Sequence, residues 1–199
     1  MRYNDQLVLT GEVNEIGEPL TANMDRSYRL GVELQGAWNA TDWLTWTANV
    51  TWSRNRVQDF VEVVYDDVTY LPIRTPMGDT PIAMSPDWIA ANVLNFHTHG
   101  FMAELQTKAV SRQFMTNTGN EAHALKAYCI TNLRLAYSIK PRKVVKDITF
   151  GVDVNNLFDH RYYSNGYAGA GLYDGARYDY AGYSAQAGIN VMGHVDVRF

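Results

Sequence analysis

Apolar and polar residues alternate along most of this chain, which is the pattern of a β-strand whose two faces meet different surroundings. The alternation is clearest at 44–53, where Leu, Trp, Ala and Val alternate with Thr, Asn and Ser, and it recurs in the last eleven residues, which end on Phe199. The pattern predicts eight strands, at 1–9, 27–38, 44–53, 87–96, 101–111, 126–139, 147–155 and 189–199.

The connections between these strands alternate between long and short. The long ones are 10–26, 60–86, 112–125 and 156–183, and the short ones are 39–42, 97–100 and 140–146. The segment 60–86 is interpreted as a loop because it holds four prolines, which a central strand does not tolerate. Outer-membrane barrels have short periplasmic turns and longer extracellular loops, whereas a soluble sandwich has no physical reason to sort its connections by length. The chain is therefore predicted to be all-β, an antiparallel transmembrane β-barrel segment of about eight up-and-down strands.

Composition narrows the classes of protein that remain. Mean hydropathy is -0.28, and no apolar run is long enough for a transmembrane helix, so membrane insertion must use strands. Aromatic residues make up 13% of the chain, which suits a barrel with aromatic girdles at both membrane interfaces. The net charge of -4 gives no basic patch for nucleic acid, so that partner class is set aside.

Four segments carry a family resemblance. Residues 152–166 (VDVNNLFDHRYYSNG) resemble the penultimate-strand signature of TonB-dependent outer-membrane receptors, in which an N-L-F-D core is followed by an aromatic pair. The ending 195–199 (VDVRF) is similar to the terminal strand of that family, and 5–11 and 27–33 are similar to the receptor barrels of Bacteroidota. The resemblance implies a location in the bacterial outer membrane.

The resemblance implies a larger machine, an N-terminal plug inside a barrel of about 22 strands. We therefore expect 1–199 to be the C-terminal part of a receptor barrel, with the plug domain and the signal peptide absent; no apolar signal segment follows Met1. The intact receptor would take up a scarce ligand such as an iron-siderophore, haem, cobalamin or a glycan, driven by the TonB energy-coupling complex through the missing plug. Outer-membrane lipid, the barrel assembly machinery and a small-molecule ligand are the expected partners. No covalent chemistry and no cofactor are expected.

Two alternatives stay open. One is a stand-alone small outer-membrane β-barrel that acts as an anchor or adhesin, and the other is a soluble all-β binding module.

Candidate ligand contacts crowd the stretch 156–183, because tyrosine rings offer a large contact area with a polar handle. The candidates are Arg161, Tyr162, Tyr163, Tyr167, Tyr173, Arg177 and Tyr178, with the two arginines as contacts for an anionic ligand. The competing interpretation is that several of these tyrosines belong to the outer aromatic girdle or pack the loop on itself. Phe199 is a separate candidate, since the resemblance implies that the assembly machinery recognises the terminal aromatic residue.

Metal sites are weakly supported. His97 and His99 share a tight turn without a nearby carboxylate and are expected to be solvated. An acidic group at 59–67 offers oxygen ligands for calcium, but its spacing matches no EF-hand, so a solvated acidic loop is expected. No metal is predicted. The lone Cys129 is expected to be a packed strand residue.

Overall fold

The structure is a computed structural model that describes residues 1–141 and 144–199, and it is built almost entirely of antiparallel strands. These are β1 (Arg2–Val13), β2 (Pro19–Thr41), β3 (Leu44–Tyr65), β4 (Pro72–Pro81), β5 (Trp88–Thr98), β6 (Phe101–Val110), β7 (Gln113–Phe114), β8 (Ala124–Leu125), β9 (Tyr128–Ile139), β10 (Asp147–Asn155), β11 (Tyr163–Tyr173), β12 (Ala176–Ala185) and β13 (Asn190–Arg198). One 3₁₀ turn, Glu121–His123, precedes β8. Among the described residues, no helix has the length and apolarity needed to cross a membrane.

Eight of these strands form one sheet, in which each strand pairs with the next of the eight along the chain. The order is β1-β2-β3-β5-β6-β9-β10-β13, and every pairing along it is antiparallel. Each of the eight corresponds to one strand predicted from the alternation. The predicted up-and-down architecture is confirmed.

One face of the sheet is apolar from β2 to β13. The registers place apolar side chains directly opposite one another in an unbroken row: Trp38, Trp46, Leu94, Leu105, Leu133, Val154 and Val191. Several of these side chains are largely exposed, including Trp38 at 62% and Val191 at 63%. A continuous, exposed apolar band on one face is what a lipid-facing surface requires.

The opposite face is polar. A row of paired positions runs through Asn95, Glu104, Arg134 and Asp153, with charges of alternating sign. The Arg134 Nε donates a hydrogen bond of 2.7 Å to Asp153, whose second oxygen lies 3.5 Å from the His194 ring. This face fits the water-filled side of a barrel wall.

The short connections are tight turns. Asp42 and Trp43 link β2 to β3, and His99 and Gly100 link β5 to β6. Both residues of the second turn have positive φ, 45° and 82°, as a two-residue hairpin of right-handed twist requires. The third short connection, 140–146, includes Arg142 and Lys143, which lie outside the described residues.

The long connections contain more strand than predicted. The segment 10–26 was expected to be a loop, but β1 and β2 continue through it and are joined only by 14–18. β2 has 23 residues and β3 has 22, so each is about 75 Å long at about 3.3 Å per residue. Since 9–11 residues cross a bilayer, both strands continue well beyond it.

The loop prediction for 60–86 is wrong at 72–81, which forms β4. This strand pairs with the distal half of β3 alone, so it is an edge strand. Pro72 and Pro76 lie an even number of residues apart, so they have the same orientation within the strand. The N–H groups that they lack are tolerated at a free edge. The prediction that these prolines avoid a central strand holds.

The stretch 156–183 is likewise not an irregular loop, because β11 and β12 form a hairpin across most of it. The hairpin leaves the sheet between β10 and β13, yet it contacts β1 and β3 near the other edge. Two small cores hold this end together. They consist of Val8, Met24, Val57 and Ile82 in one cluster and Met115, Leu125 and Ala168 in the other.

Candidate functional site

A cavity of about 510 Å³ opens at the long-connection end of the sheet, on its polar side. Its walls come from the distal parts of β1, β2 and β3, from the segment 116–123, and from Gly169 and Ala170 of β11. It therefore forms only where the hairpin and the 112–125 connection fold against the strands. A concave site with convergent polar groups is the usual form of a small-molecule site.

Carboxylates dominate the charged groups on the cavity wall. Glu12, Asp25, Asp59 and Glu62 line it, with Arg74 as the guanidinium among its described lining residues. Asp59 accepts a hydrogen bond from Arg26, and Glu62 accepts two from Arg177, at 2.7 and 3.0 Å. Two of the four carboxylates are thus neutralised by ion pairs.

His123 forms part of the same wall and is almost fully buried, with 1% of its surface exposed. Its Nδ1 lies 3.2 Å from the Thr116 hydroxyl. Its Nε2 lies 3.3 Å from Asp179 but forms no hydrogen bond with acceptable geometry. Burial lowers the pKa of His123 below its ordinary value, against the opposing effect of Asp179, so the imidazole is neutral at pH 7.

The segment 116–118 is fixed by one long-range clamp. The Asn117 amide donates to the Leu9 carbonyl at 2.7 Å, and its oxygen accepts from the Ala83 N–H at 2.8 Å. Asn117 is itself buried. A single side chain therefore ties the cavity wall to β1 and to the chain after β4.

The hairpin is fastened to the β3–β4 connection by polar contacts. Asp66, which is buried, accepts hydrogen bonds from the N–H groups of Val68 and Thr69 with one oxygen and from the Gly175 N–H at 2.8 Å with the other. The hydrogen bond from Gly175 is the largest cause that lowers the pKa of Asp66 below its ordinary value. Beside it, the Tyr178 hydroxyl donates to Asp67 at 2.8 Å, and this bond raises the pKa of Tyr178.

Three tyrosines of the hairpin lie across glycines on the facing strand. The pairs are Tyr167 with Gly182, Tyr178 with Gly171 and Tyr180 with Gly169. A Cβ at any of these glycines would lie 2.2–2.4 Å from the nearest atom of the tyrosine side chain. The glycines therefore make room for the rings, which remain more than a third exposed on their outer side. Burial and then Glu12 raise the pKa of Tyr180 to about 12.

The structure brings some of the predicted ligand residues together and separates others. Tyr167 and Tyr178 share one face of the hairpin, and Tyr173 lies at its tip, 65% exposed. Arg177 is held by Glu62 and by Asp179, at 3.1 Å. Arg161 is exposed and precedes the hairpin.

The remaining candidates pack with other aromatic rings. Tyr162 lies against Tyr128, with ring centroids 4.5 Å apart, and Tyr163 lies against Tyr183 at 5.1 Å. The roles of all seven residues in ligand binding stay predictions.

Other predicted positions are solvated or terminal. Phe199 follows β13 and is 74% exposed. His97 and His99 lie at the short-turn end. Within the described residues, no three His, Cys, Asp or Glu side chains are grouped to hold a metal ion. Asp59, Glu62, Asp66 and Asp67 are instead engaged by the contacts given above, and Cys129 is exposed on the apolar face.

Sequence reasoning missed Glu12, Asp25, Asn117 and His123 as parts of one site. Each stands in a predicted loop, where a polar residue is ordinary, and each meets its neighbours only through contacts distant in sequence. One signal was available in the sequence. Glu62 is the single acidic residue among the valines at 61–64, and a carboxylate in an apolar run requires a partner, which is Arg177.

Solved structures of related shape give the fold independently. The ferric yersiniabactin uptake receptor FyuA from Yersinia pestis aligns with a TM-score of 0.60 at 19% identity, covering 89% of this chain and 24% of that one. The copper transporter OprC aligns with a TM-score of 0.61 at 16% identity, covering 98% of this chain and 27% of that one. The siderophore receptor PiuA from Acinetobacter baumannii aligns with a TM-score of 0.59 at 14% identity, covering 98% of this chain and 25% of that one. The chain thus spans about a quarter of the length of these structures.

The sequence itself matches the family described as TonB dependent receptor-like, beta-barrel, over residues 1–157. A comparison with curated proteins found no match. The family comprises outer-membrane receptors and transporters of Gram-negative bacteria rather than enzymes, so the predicted location and the expectation of a non-enzyme are confirmed. With the match covering most of its length, the chain belongs to the TonB-dependent receptor β-barrel family.

Proposed function

We propose that this chain is the C-terminal part of the barrel of an outer-membrane receptor that takes up a metal complex, of the ferric siderophore kind, by TonB-dependent transport. The observation that carries the proposal is the cavity of about 510 Å³ at the long-connection end of the sheet, to whose wall the tyrosine-rich hairpin contributes Gly169 and Ala170. A ligand arriving from outside the cell meets this end of the barrel first. The eight strands supply the wall, and a plug elsewhere in the receptor supplies the energy-coupled step.

The similar structures support a metal complex as the ligand class. FyuA is a ferric yersiniabactin uptake receptor, PiuA is a siderophore receptor and OprC is a copper transporter. Their identity to this chain is below 20%, so the support lies in the shared barrel fold. The volume of the cavity lies within the range of small-molecule sites.

The hairpin tyrosines are proposed to contact the ligand with their outer faces. Each ring of Tyr167, Tyr178 and Tyr180 lies against backbone on one side, so its position is fixed before any ligand binds. Rigid aromatic surfaces lose little conformational entropy on binding. Tyr173, at the tip, adds a fourth exposed ring.

The transport step is tested by uptake of radioactive iron, supplied as ferric complexes, into iron-limited cells that carry the complete receptor. We expect uptake that requires both the receptor and a working TonB complex. If no ferric complex enters cells in a receptor-dependent manner, the proposed ligand class is wrong.

The loop contacts are tested by exchanging Tyr167 and Tyr173 for Ala in the complete receptor and measuring ligand affinity. We expect a loss of about tenfold, because each aromatic contact contributes about 0.5–1.5 kcal/mol beyond the area that it buries. The matched control is Tyr70→Ala, a 79% exposed tyrosine of the β3–β4 connection, outside the hairpin. Unchanged affinity in the hairpin variant would remove the tyrosines from the site.

A further inference from the structure

The extracellular end of this chain carries a strongly acidic surface. The four segments 10–26, 57–86, 111–126 and 156–189, which are the long connections with a few flanking residues, hold thirteen Asp and Glu against six Lys and Arg. The acidic residues are Glu12, Glu15, Glu18, Asp25, Asp59, Glu62, Asp66, Asp67, Asp79, Glu121, Asp159, Asp174 and Asp179, and the basic ones are Arg26, Arg74, Arg112, Lys126, Arg161 and Arg177. Since the whole chain has a net charge of only -4, the negative charge is concentrated at the end where a ligand enters.

The cavity wall remains negatively charged when the carboxylates that form ion pairs are left out of the count. Arg26 neutralises Asp59, and Arg177 is shared between Glu62 and Asp179. Glu12 and Asp25 make no ion pair within the described part of the chain, and Arg74 makes none either. Two carboxylates without a cationic partner therefore lie on the wall together with one such guanidinium, and Glu12 also accepts a hydrogen bond from the Tyr180 hydroxyl at 3.4 Å.

The same wall holds a buried imidazole beside a further carboxylate. His123 is 1% exposed and lines the cavity, and its Nε2 lies 3.3 Å from an Asp179 oxygen without forming a hydrogen bond of acceptable geometry. As a neutral imidazole, His123 adds no positive charge that would offset the carboxylates.

We propose that this cavity selects ligands of net positive charge, with Glu12 and Asp25 as the specificity-determining residues that receive the cationic group. The proposal rests on the proposed uptake function and names the charge class of its ligand. It reverses the expectation from sequence that Arg161 and Arg177 would contact an anionic ligand. Arg177 is already neutralised, and Arg161 does not line the cavity.

The physical basis is field focusing. A cleft lined by charges of one sign raises the local concentration of ligands of the opposite sign and increases their association rate by about 10–1,000-fold. The effect falls with ionic strength, because the Debye length shortens from about 10 Å at 0.1 M to about 3 Å at 1 M. An anion would also face the cost of losing water beside two unpaired carboxylates.

The experiment uses the complete receptor and ferric complexes that differ in charge alone. The probes are ferrioxamine B, which carries a free ammonium group, its neutral N-acetyl derivative and its anionic N-succinyl derivative, together with a ferric tricatecholate as a polyanion. Affinity is measured in detergent at low and high salt, and TonB-dependent uptake of each complex is measured in cells. We expect ferrioxamine B to bind at least about tenfold more tightly than the N-succinyl derivative at low salt, and the difference to shrink in high salt.

Variants separate the cavity charges from the general surface charge. In the double variant Glu12→Gln with Asp25→Asn, we expect the preference for the cation to fall by about tenfold. The matched control, Glu15→Gln with Asp174→Asn, removes two exposed tip carboxylates that do not line the cavity, and its preference should stay close to that of the unmodified receptor.

The outcomes distinguish the two proposals. Equal binding across the series, or tighter binding and uptake of the anionic complexes, would overturn the charge inference and leave ferric uptake standing. Loss of the preference in the control variant but not in the cavity variant would also overturn it, since the general surface would then account for the effect. If none of the four complexes is taken up, the proposed ferric function fails and the inference fails with it.

Discussion

At the residue scale, the position of a side chain in the extracellular hairpin is decided by a few long-range polar contacts. Asp66 shows this most clearly, because its carboxylate joins two segments more than one hundred residues apart in sequence. In the sequence it belongs to an acidic loop that any solvated surface would explain. Burial and a backbone N–H partner turn it into the group that positions the tip of the hairpin.

Docking of the hairpin should therefore weaken in acid. The hydrogen bonds to Asp66 lower its pKa in the folded state, so the carboxylate contributes stability that is complete above the unfolded pKa of about 4 and is lost as pH falls through the lower folded value. Amide hydrogen exchange of 163–185 in the complete receptor, measured between pH 6 and pH 3, should show protection that decreases below about pH 4.

Asp66→Asn provides the control for that experiment. It should reduce protection at pH 6 and remove most of the pH dependence below pH 4, whereas Asp174→Asn at the exposed tip should change neither. An unchanged pH profile in Asp66→Asn would show that another group controls docking.

At the scale of elements, alternation identifies a strand only where its two faces meet different surroundings. Within the membrane, Leu34 meets lipid while Gln35 faces the lumen, and all eight spanning strands were predictable for that reason. Beyond the membrane neither face of β2 and β3 meets lipid, and only single positions such as Met24 and Val57 pack into a core, so the alternation disappears although β2 stays paired with β1 and β3 with β4. The strand β4 and the β11–β12 hairpin were missed for the same reason, with proline and glycine content adding to the appearance of loops.

Adjacent residues of β2 should therefore respond very differently to the same change. Leu34→Arg places a guanidinium in the apolar band and should destabilise the barrel by about 2–4 kcal/mol if it lies near the bilayer midplane. Gln35→Arg places it on the lumen face and should stay within about 0.5 kcal/mol. Urea unfolding of the complete receptor in lipid vesicles measures both. Similar losses in the two variants would contradict the assignment of faces.

At the scale of the whole molecule, the chain forms one wall of a barrel whose inner surface is polar and whose extracellular end is folded inward. The wall was predictable from alternation and connection lengths. The inward fold was not, because it depends on Asn117, Arg177 and Asp66 finding partners that no local pattern specifies. The cavity exists only as a result of those contacts, so its residues were not predicted as a set.

The terminal aromatic residue belongs to this scale, since it concerns assembly of the complete barrel. Phe199→Ala should lower the amount of receptor in the outer membrane, measured by quantitative blotting of membrane fractions. Phe158→Ala is the matched control, because that ring is similarly exposed, at 75% against 74%. Equal levels in the two variants would argue against a role for Phe199 in assembly.

The orientation of the wall is tested most directly by labelling single cysteines on intact cells. In a complete receptor in which Cys129 is replaced by Ala, Glu15→Cys lies in the β1–β2 connection and Asp42→Cys lies in the β2–β3 turn. A membrane-impermeant maleimide should label the first on intact cells and the second only after the outer membrane is permeabilised. Labelling of Asp42→Cys on intact cells, or protection of Glu15→Cys until permeabilisation, would contradict the membrane-spanning wall on which every proposal here depends.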